Sequence, residues 1–111
     1  EGRDINTKVD MVLSYSWSTW TTLFVIKQGI ENTGWKTKAD NPDFIRWLEG
    51  RKFNENYENP QGDKWIRAED HVDFTTLYIE QVKGGKTTVI KKIPAEETVY
   101  PPMVDYTKES F

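Results

Sequence analysis

The run Phe74–Ile93, FTTLYIEQVKGGKTTVIKKI, restricts the fold more than any other stretch. Two arms rich in Thr, Val, Ile and Tyr flank Gly84-Gly85. Side chains of these types pack well on a pleated surface. A two-residue Gly-Gly loop suits a type I′ or II′ turn, because glycine takes positive φ without a Cβ clash. The register follows from that loop. Lys83 should face Lys86, Gln81 should face Thr88, Ile79 should face Ile90, and Tyr78 should face Lys91. One face would then carry Leu77, Ile79 and Ile90. The other would carry Phe74, Tyr78, Val82, Val89 and Ile93. Both faces are partly apolar, so the hairpin is expected to be central and covered on both sides, at least in part.

The chain before it reads mostly as strand. From Lys8 to Trp17, Val9, Met11, Leu13, Tyr15 and Trp17 alternate with more polar positions, the period of a half-buried strand. Trp20–Ile26 has the same β-branched and aromatic bias, and Ser18-Thr19 would be the turn between the two. One long bent strand with a bulge is the alternative. Gln28–Gly34 is expected to be a loop and Trp35–Lys38 a short strand. One helix is expected over Pro42–Glu49. Asp40 or Asn41 would cap it, and Pro42 and Asp43 suit its first turn. Phe44, Ile45, Trp47 and Leu48 form an apolar stripe at helical spacing, and Gly50 is the stop. Asn54–Asp63 is a polar loop, Lys64–Ala68 opens a strand, and Glu69–Asp73 is charged and turn-like.

The expected fold is therefore α+β: an antiparallel β-sheet of five to six strands with one main helix over about residues 42–50. A small β-barrel or sandwich is the alternative. Residues 1–93 would form a single globular domain. Residues 94–111 would form an extended, Pro-containing, acidic C-terminal arm. Apolar side chains on such an arm, Tyr100 and Tyr106 among them, call for a partner surface.

Composition narrows the function classes. At 111 residues the chain has the size of one domain. Only 36% is hydrophobic but 14% is aromatic, so rings supply either the core or a binding surface. Net charge is −3 and no segment is strongly basic, which argues against duplex nucleic acid. No apolar run is long enough to span a membrane and no signal peptide is recognisable, so the chain is expected to be soluble, with its compartment unassigned. Cysteine is absent, which excludes disulfides, thiolate metal sites and a Cys nucleophile.

Chemistry-bearing residues are few. His71 is the only histidine. In an extended segment, Glu69, His71 and Asp73 project to one side, an arrangement suited to acid–base work or a hard cation. The plainer reading is a solvated charged turn. One imidazole is too few for most metal chemistry, so neither metal nor cofactor is expected. Trp17-Ser-Thr-Trp20 could stack a sugar or accept C-mannosylation, although a regular strand would put the two rings on opposite faces. Trp35, Tyr57 and Trp65 on or near loops could extend an aromatic platform. Lys83, Lys86, Lys91 and Lys92 would keep the hairpin soluble. Gly84-Gly85-Lys86-Thr87 lacks the earlier glycine of a phosphate-binding loop and sits in a hairpin.

Every catalytic signature is thin, so the expected function is a non-catalytic binding or assembly module. It would engage a protein partner or a second copy through aromatic surface (Trp17, Trp20, Trp35, Tyr57, Trp65, Tyr100, Tyr106) and the C-terminal arm. A carbohydrate-binding module using exposed Trp and Tyr is one alternative. A small acid–base enzyme centred on His71 is the other.

Overall fold

A computed structural model of the chain describes residues 14–109. Its first element is helix α1, Ser14–Thr33. This corrects the expected strand Trp20–Ile26 and the expected loop Gln28–Gly34. The earlier residues of the expected strand Lys8–Trp17, up to position 13, lie outside the described residues. Tyr15 and Trp17 stand in the helix. The buried and half-buried positions Trp20, Thr21, Phe24, Val25, Gln28 and Gly29 recur at helical spacing. β-Branched residues only mildly disfavour a helix, and tertiary packing overrides that preference. Several polar side chains also bond backward along the helix. Thr19 Oγ1 donates to Tyr15 O at 2.9 Å, and Thr33 Oγ1 donates to Gly29 O at 2.8 Å.

Gly29 is buried and helical, not part of a turn. A Cβ there would lie 2.4 Å from the Phe44 ring, so its bareness lets helix α2, Asn41–Leu48, cross α1 closely. Pro42 and Asp43 stand in the first turn of α2, as read from sequence. The capping differs from expectation. Asp40 makes no side-chain cap to α2, and its Oδ2 accepts from Lys36 N and Thr37 N, closing a one-turn 3-10 helix, Lys38–Asp40. The expected strand Trp35–Lys38 is replaced by this turn and the coil before it. Asn41 Oδ1 accepts instead from Trp35 Nε1 at 2.8 Å. Gly50, at φ +70°, ends the helix.

Five strands follow, all antiparallel, so the chain is α+β. Among the described residues they form two sheets rather than a single sheet of five or six. Strands β1 (Lys52–Phe53), β2 (Lys64–Ile66) and β3 (Asp73–Thr75) make the first, in that order. Strands β4 (Leu77–Lys83) and β5 (Lys86–Ile93) make the second.

The β4–β5 turn has Gly84 and Gly85 both at positive φ, 59° and 74°, as the sequence predicts. Lys83 pairs with Lys86 and Gln81 with Thr88. Below that the register differs. An irregularity between Ile79 and Glu80 pairs Ile79 with Lys91, Tyr78 with Lys92 and Leu77 with Ile93. A one-residue slip moves side chains to the other face, so Ile93 joins Leu77 rather than Tyr78. The expectation that the hairpin is central and covered is also corrected. Every residue of β4, and every residue of β5 but Ile93, is exposed. Phe74 belongs to β3 in the other sheet. The hairpin base is tied to the 54–63 loop, where Tyr78 Oη donates to Gln61 O at 2.7 Å and Lys92 Nζ pairs with Glu55 at 2.8 Å.

The buried apolar residues among those described are Phe53, Phe74 and Ala95. The Cα radius of gyration is 17.0 Å, where a compact chain of this length would measure about 13 Å. Beyond Ile93 the chain folds back across β3. It makes short 3-10 turns at Ala95–Thr98 and Tyr106–Lys108. Ala95 is buried, the Tyr100 ring meets Phe74, and Tyr106 N donates to Glu69 O at 2.6 Å.

Candidate functional site

The trio Glu69, His71 and Asp73 does not converge. The turn between β2 and β3 puts His71 at φ +57°, which breaks the extended run that would have aligned the three side chains. Asp73 instead pairs with Lys64 on β2 at 3.0 Å. The contact described for Glu69 is through its backbone carbonyl, to Tyr106. His71 Nε2 lies 3.1 Å from Glu49 Oε1 at the end of α2, and the His71 ring lies 5.7 Å from that of Tyr106. Among the described residues no three His, Cys, Asp or Glu side chains group as a metal site.

The most buried charge in this region is Arg67, 4% exposed. Its Nε and Nη2 donate to the two oxygens of Asp70 at 2.8 and 2.6 Å, and Nη1 donates to Tyr100 O. Its guanidinium lies 4.8 Å from the Phe74 ring centroid and 5.2 Å from that of Tyr100. The Arg67 bond holds the Asp70 carboxyl below its usual 3.8, outweighing the effect of desolvation. Burial pushes Glu49 up, but hydrogen bonds from His71 and Arg46 bring it below its usual 4.5. Asp40 is lowered by the Lys36 and Thr37 backbone N–H groups.

A carboxylate depressed in the folded state contributes stability above its unfolded pKa, and that stability is lost as pH falls through the folded value. The melting temperature is therefore expected to be flat above about pH 5 and to fall steeply below about pH 4. Asp70→Asn should flatten part of that slope. Melts across pH of both proteins check this, and equal slopes would count against the Arg67–Asp70 pair as a source of acid lability.

The seven rings read as a binding surface fall into separate groups. Trp20 and Tyr57 meet edge to face at 5.3 Å with Phe24 beside them, and Trp20 Nε1 donates to Tyr57 O at 3.0 Å. Trp17 is one helical turn from Trp20 and partly exposed. Trp65 stacks on Phe74 at 5.1 Å, with Tyr100 on the same ring. Tyr106 sits with His71. Trp35 lines an apolar groove of about 260 Å³ between α1 and α2, with Ile26, Ile30, Phe44 and Ile45. Helical spacing thus brings Trp17 and Trp20 to one side, where a strand would have parted them.

Two features escaped the sequence reading. The first is the uncovered hairpin, where Leu77, Ile79, Val82, Val89 and Ile90 are all exposed, Val82 at 73%. Its lysines were the signal for exposure, and apolar content on both faces outweighed them. The second is a polar pocket between α1 and residues 52–59. No local pattern marks it, because its walls come from segments about thirty positions apart.

Fold and surface together define an α+β chain with antiparallel sheets, dispersed aromatic clusters and an uncovered apolar hairpin. Among the described residues no helix is long and apolar enough to cross a membrane. No family model, curated protein or solved structure matches the chain.

Proposed function

We propose that this chain is a non-catalytic assembly module that engages a protein surface through hairpin β4–β5 and the neighbouring aromatic residues. One observation carries the reading: the hairpin exposes Leu77, Ile79, Val82, Val89 and Ile90, and among the described residues nothing covers either of its faces. An isolated hairpin is marginal in water, and its open edges are templates for pairing with another chain. A partner that covered it would stabilise both.

The hairpin's charge specifies the partner's chemistry. Lys83, Lys86, Lys91 and Lys92 outnumber Glu80, so an apolar surface carrying acids is the complement. Hairpin-to-hairpin pairing would set the lysines against one another. The chain's own C-terminal segment has the complementary character. Val99, Met103 and Val104 are exposed among Glu96, Glu97, Asp105 and Glu109. A second copy could therefore present that segment to the hairpin, head to tail.

Sedimentation velocity over about a hundredfold range of concentration tests this. Self-association is expected, weaker at high salt because the attraction is partly electrostatic. Val82→Glu should abolish it while shifting the melting temperature little, because Val82 is exposed and pairs with Thr87 beside the turn, at the far end of the hairpin from Ile93. A monomer at every concentration, with apolar-dye binding no greater than that of Val82→Glu, sinks the reading.

A further inference from the structure

The pocket between α1 and residues 52–59 encloses about 180 Å³. A single water needs roughly 10–15 Å³ of this kind of space, so the pocket has room for something larger. Its inner wall is Thr21, 3% exposed, whose Oγ1 has no hydrogen-bond partner among the described residues. On the same helix Thr19 and Thr33 satisfy their hydroxyls on the carbonyl one turn back. A buried hydroxyl left unpaired carries an uncompensated desolvation cost, which a ligand atom would relieve once the Thr21 side chain turns its hydroxyl toward the pocket.

We propose that this pocket binds a neutral polyhydroxylated ligand of about one sugar ring. The lining supplies both donors and acceptors. Asn56 spends its Oδ1 on the backbone N–H groups of Glu58 and Asn59, at 2.7 and 3.0 Å, and its Nδ2 makes no bond within the described chain. Gln28 Nε2 donates to Glu58 Oε2 at 2.5 Å, which closes one wall and leaves the other carboxylate oxygen to accept. Asn59 Nδ2 donates to the carbonyls of Phe53, Asn54 and Gly62, which fixes the loop that forms the floor.

Charge balances across the lining, with Lys52 against Glu58. A free cation would meet one carboxylate and a free anion one ammonium, so neither is favoured. Amide, carboxylate and hydroxyl groups in alternation suit a ligand whose own hydroxyls both donate and accept. Phe24 adds an apolar ring at the lining for the C–H face of such a ligand. Trp20 packs 5.2 Å from Phe24, so its fluorescence should report occupancy.

The test is titration of the full chain with free glucose, galactose, mannose and N-acetylglucosamine up to about 20 mM. Trp emission and amide chemical shifts are the readouts. At least one sugar should give a saturable response, with side-chain amide shifts at Gln28, Asn56 and Asn59. Thr21→Val keeps the shape and removes the hydroxyl. It should raise the melting temperature of the unliganded chain and weaken that sugar about tenfold.

No saturable response to any of the four sugars would overturn the proposal and make the pocket a water site. So would shifts confined to exposed rings such as Trp17, or a Thr21→Val protein that binds as tightly as the parent. If Thr21→Val fails to fold, the chemical-shift map on the parent chain decides the question alone.

Discussion

Phe74→Ala is expected to be the most damaging single truncation in the chain, at about 3–5 kcal/mol. Phe74 is 4% exposed at the centre of β3. Trp65 stacks on it from the paired position of β2, Tyr100 meets it edge-on at 5.5 Å, and the Arg67 guanidinium lies against it. Removing the ring would leave a cavity among the three side chains that pack on it. It would also loosen the C-terminal segment, whose Tyr100 and Ala95 are among its strongest ties to the sheet. Because a domain of this size has only about 5–15 kcal/mol in total, the variant should lose between about a fifth and all of its stability. Chemical denaturation at 25 °C measures the loss. A loss below about 1 kcal/mol would show that this cluster is not the core.

Gly62→Ala is the second large effect. Gly62 is buried at φ +117°, and a Cβ there would lie 2.7 Å from the Thr76 Cβ. Thr76 cannot yield, because it is itself buried and its N and Oγ1 both donate to Asp63 O. Gly50→Ala is the matched control, with φ +70° and open space around it. Positive φ alone costs a residue with a Cβ about 1–2 kcal/mol. Gly62→Ala should exceed Gly50→Ala by at least about that much again, since clash adds to dihedral strain. Equal losses in the two variants, read from paired denaturant melts, would mean that the loop moves away from Thr76 without cost.

Both predictions fall on residues that a reading of local pattern does not single out. Phe74 reads as the start of the hairpin, yet it ends as the centre of a different sheet. The hairpin resumes at Leu77, after Thr76 has turned its N–H and hydroxyl to Asp63. Gly62 reads as one more turn former in a polar loop, and its burial against Thr76 has no local signature. The candidate site shows the same division. Thr21 looks like a strand residue in a β-branched run, and only the arrival of the 52–59 segment makes its hydroxyl unusual. His71 looks aligned with Glu69 and Asp73 until a left-handed residue in a tight turn parts them.

What the sequence determined by itself was whatever depends on a few adjacent residues. Gly84-Gly85 decided a tight turn because only glycine takes two positive φ values cheaply. Asp40 through Gly50 decided a short helix, because proline, early acids, a 3.6-residue apolar stripe and a final glycine all act within one or two turns. Tertiary structure decided the rest. It made α1 a helix, since a run of Trp, Thr, Phe, Val and Ile has weak preference and the packing of Phe44 against bare Gly29 supplies the difference. It also left β4–β5 uncovered. Apolar residues on both faces state that a hairpin gains by burial, and the other elements of the fold determine whether anything is there to bury it.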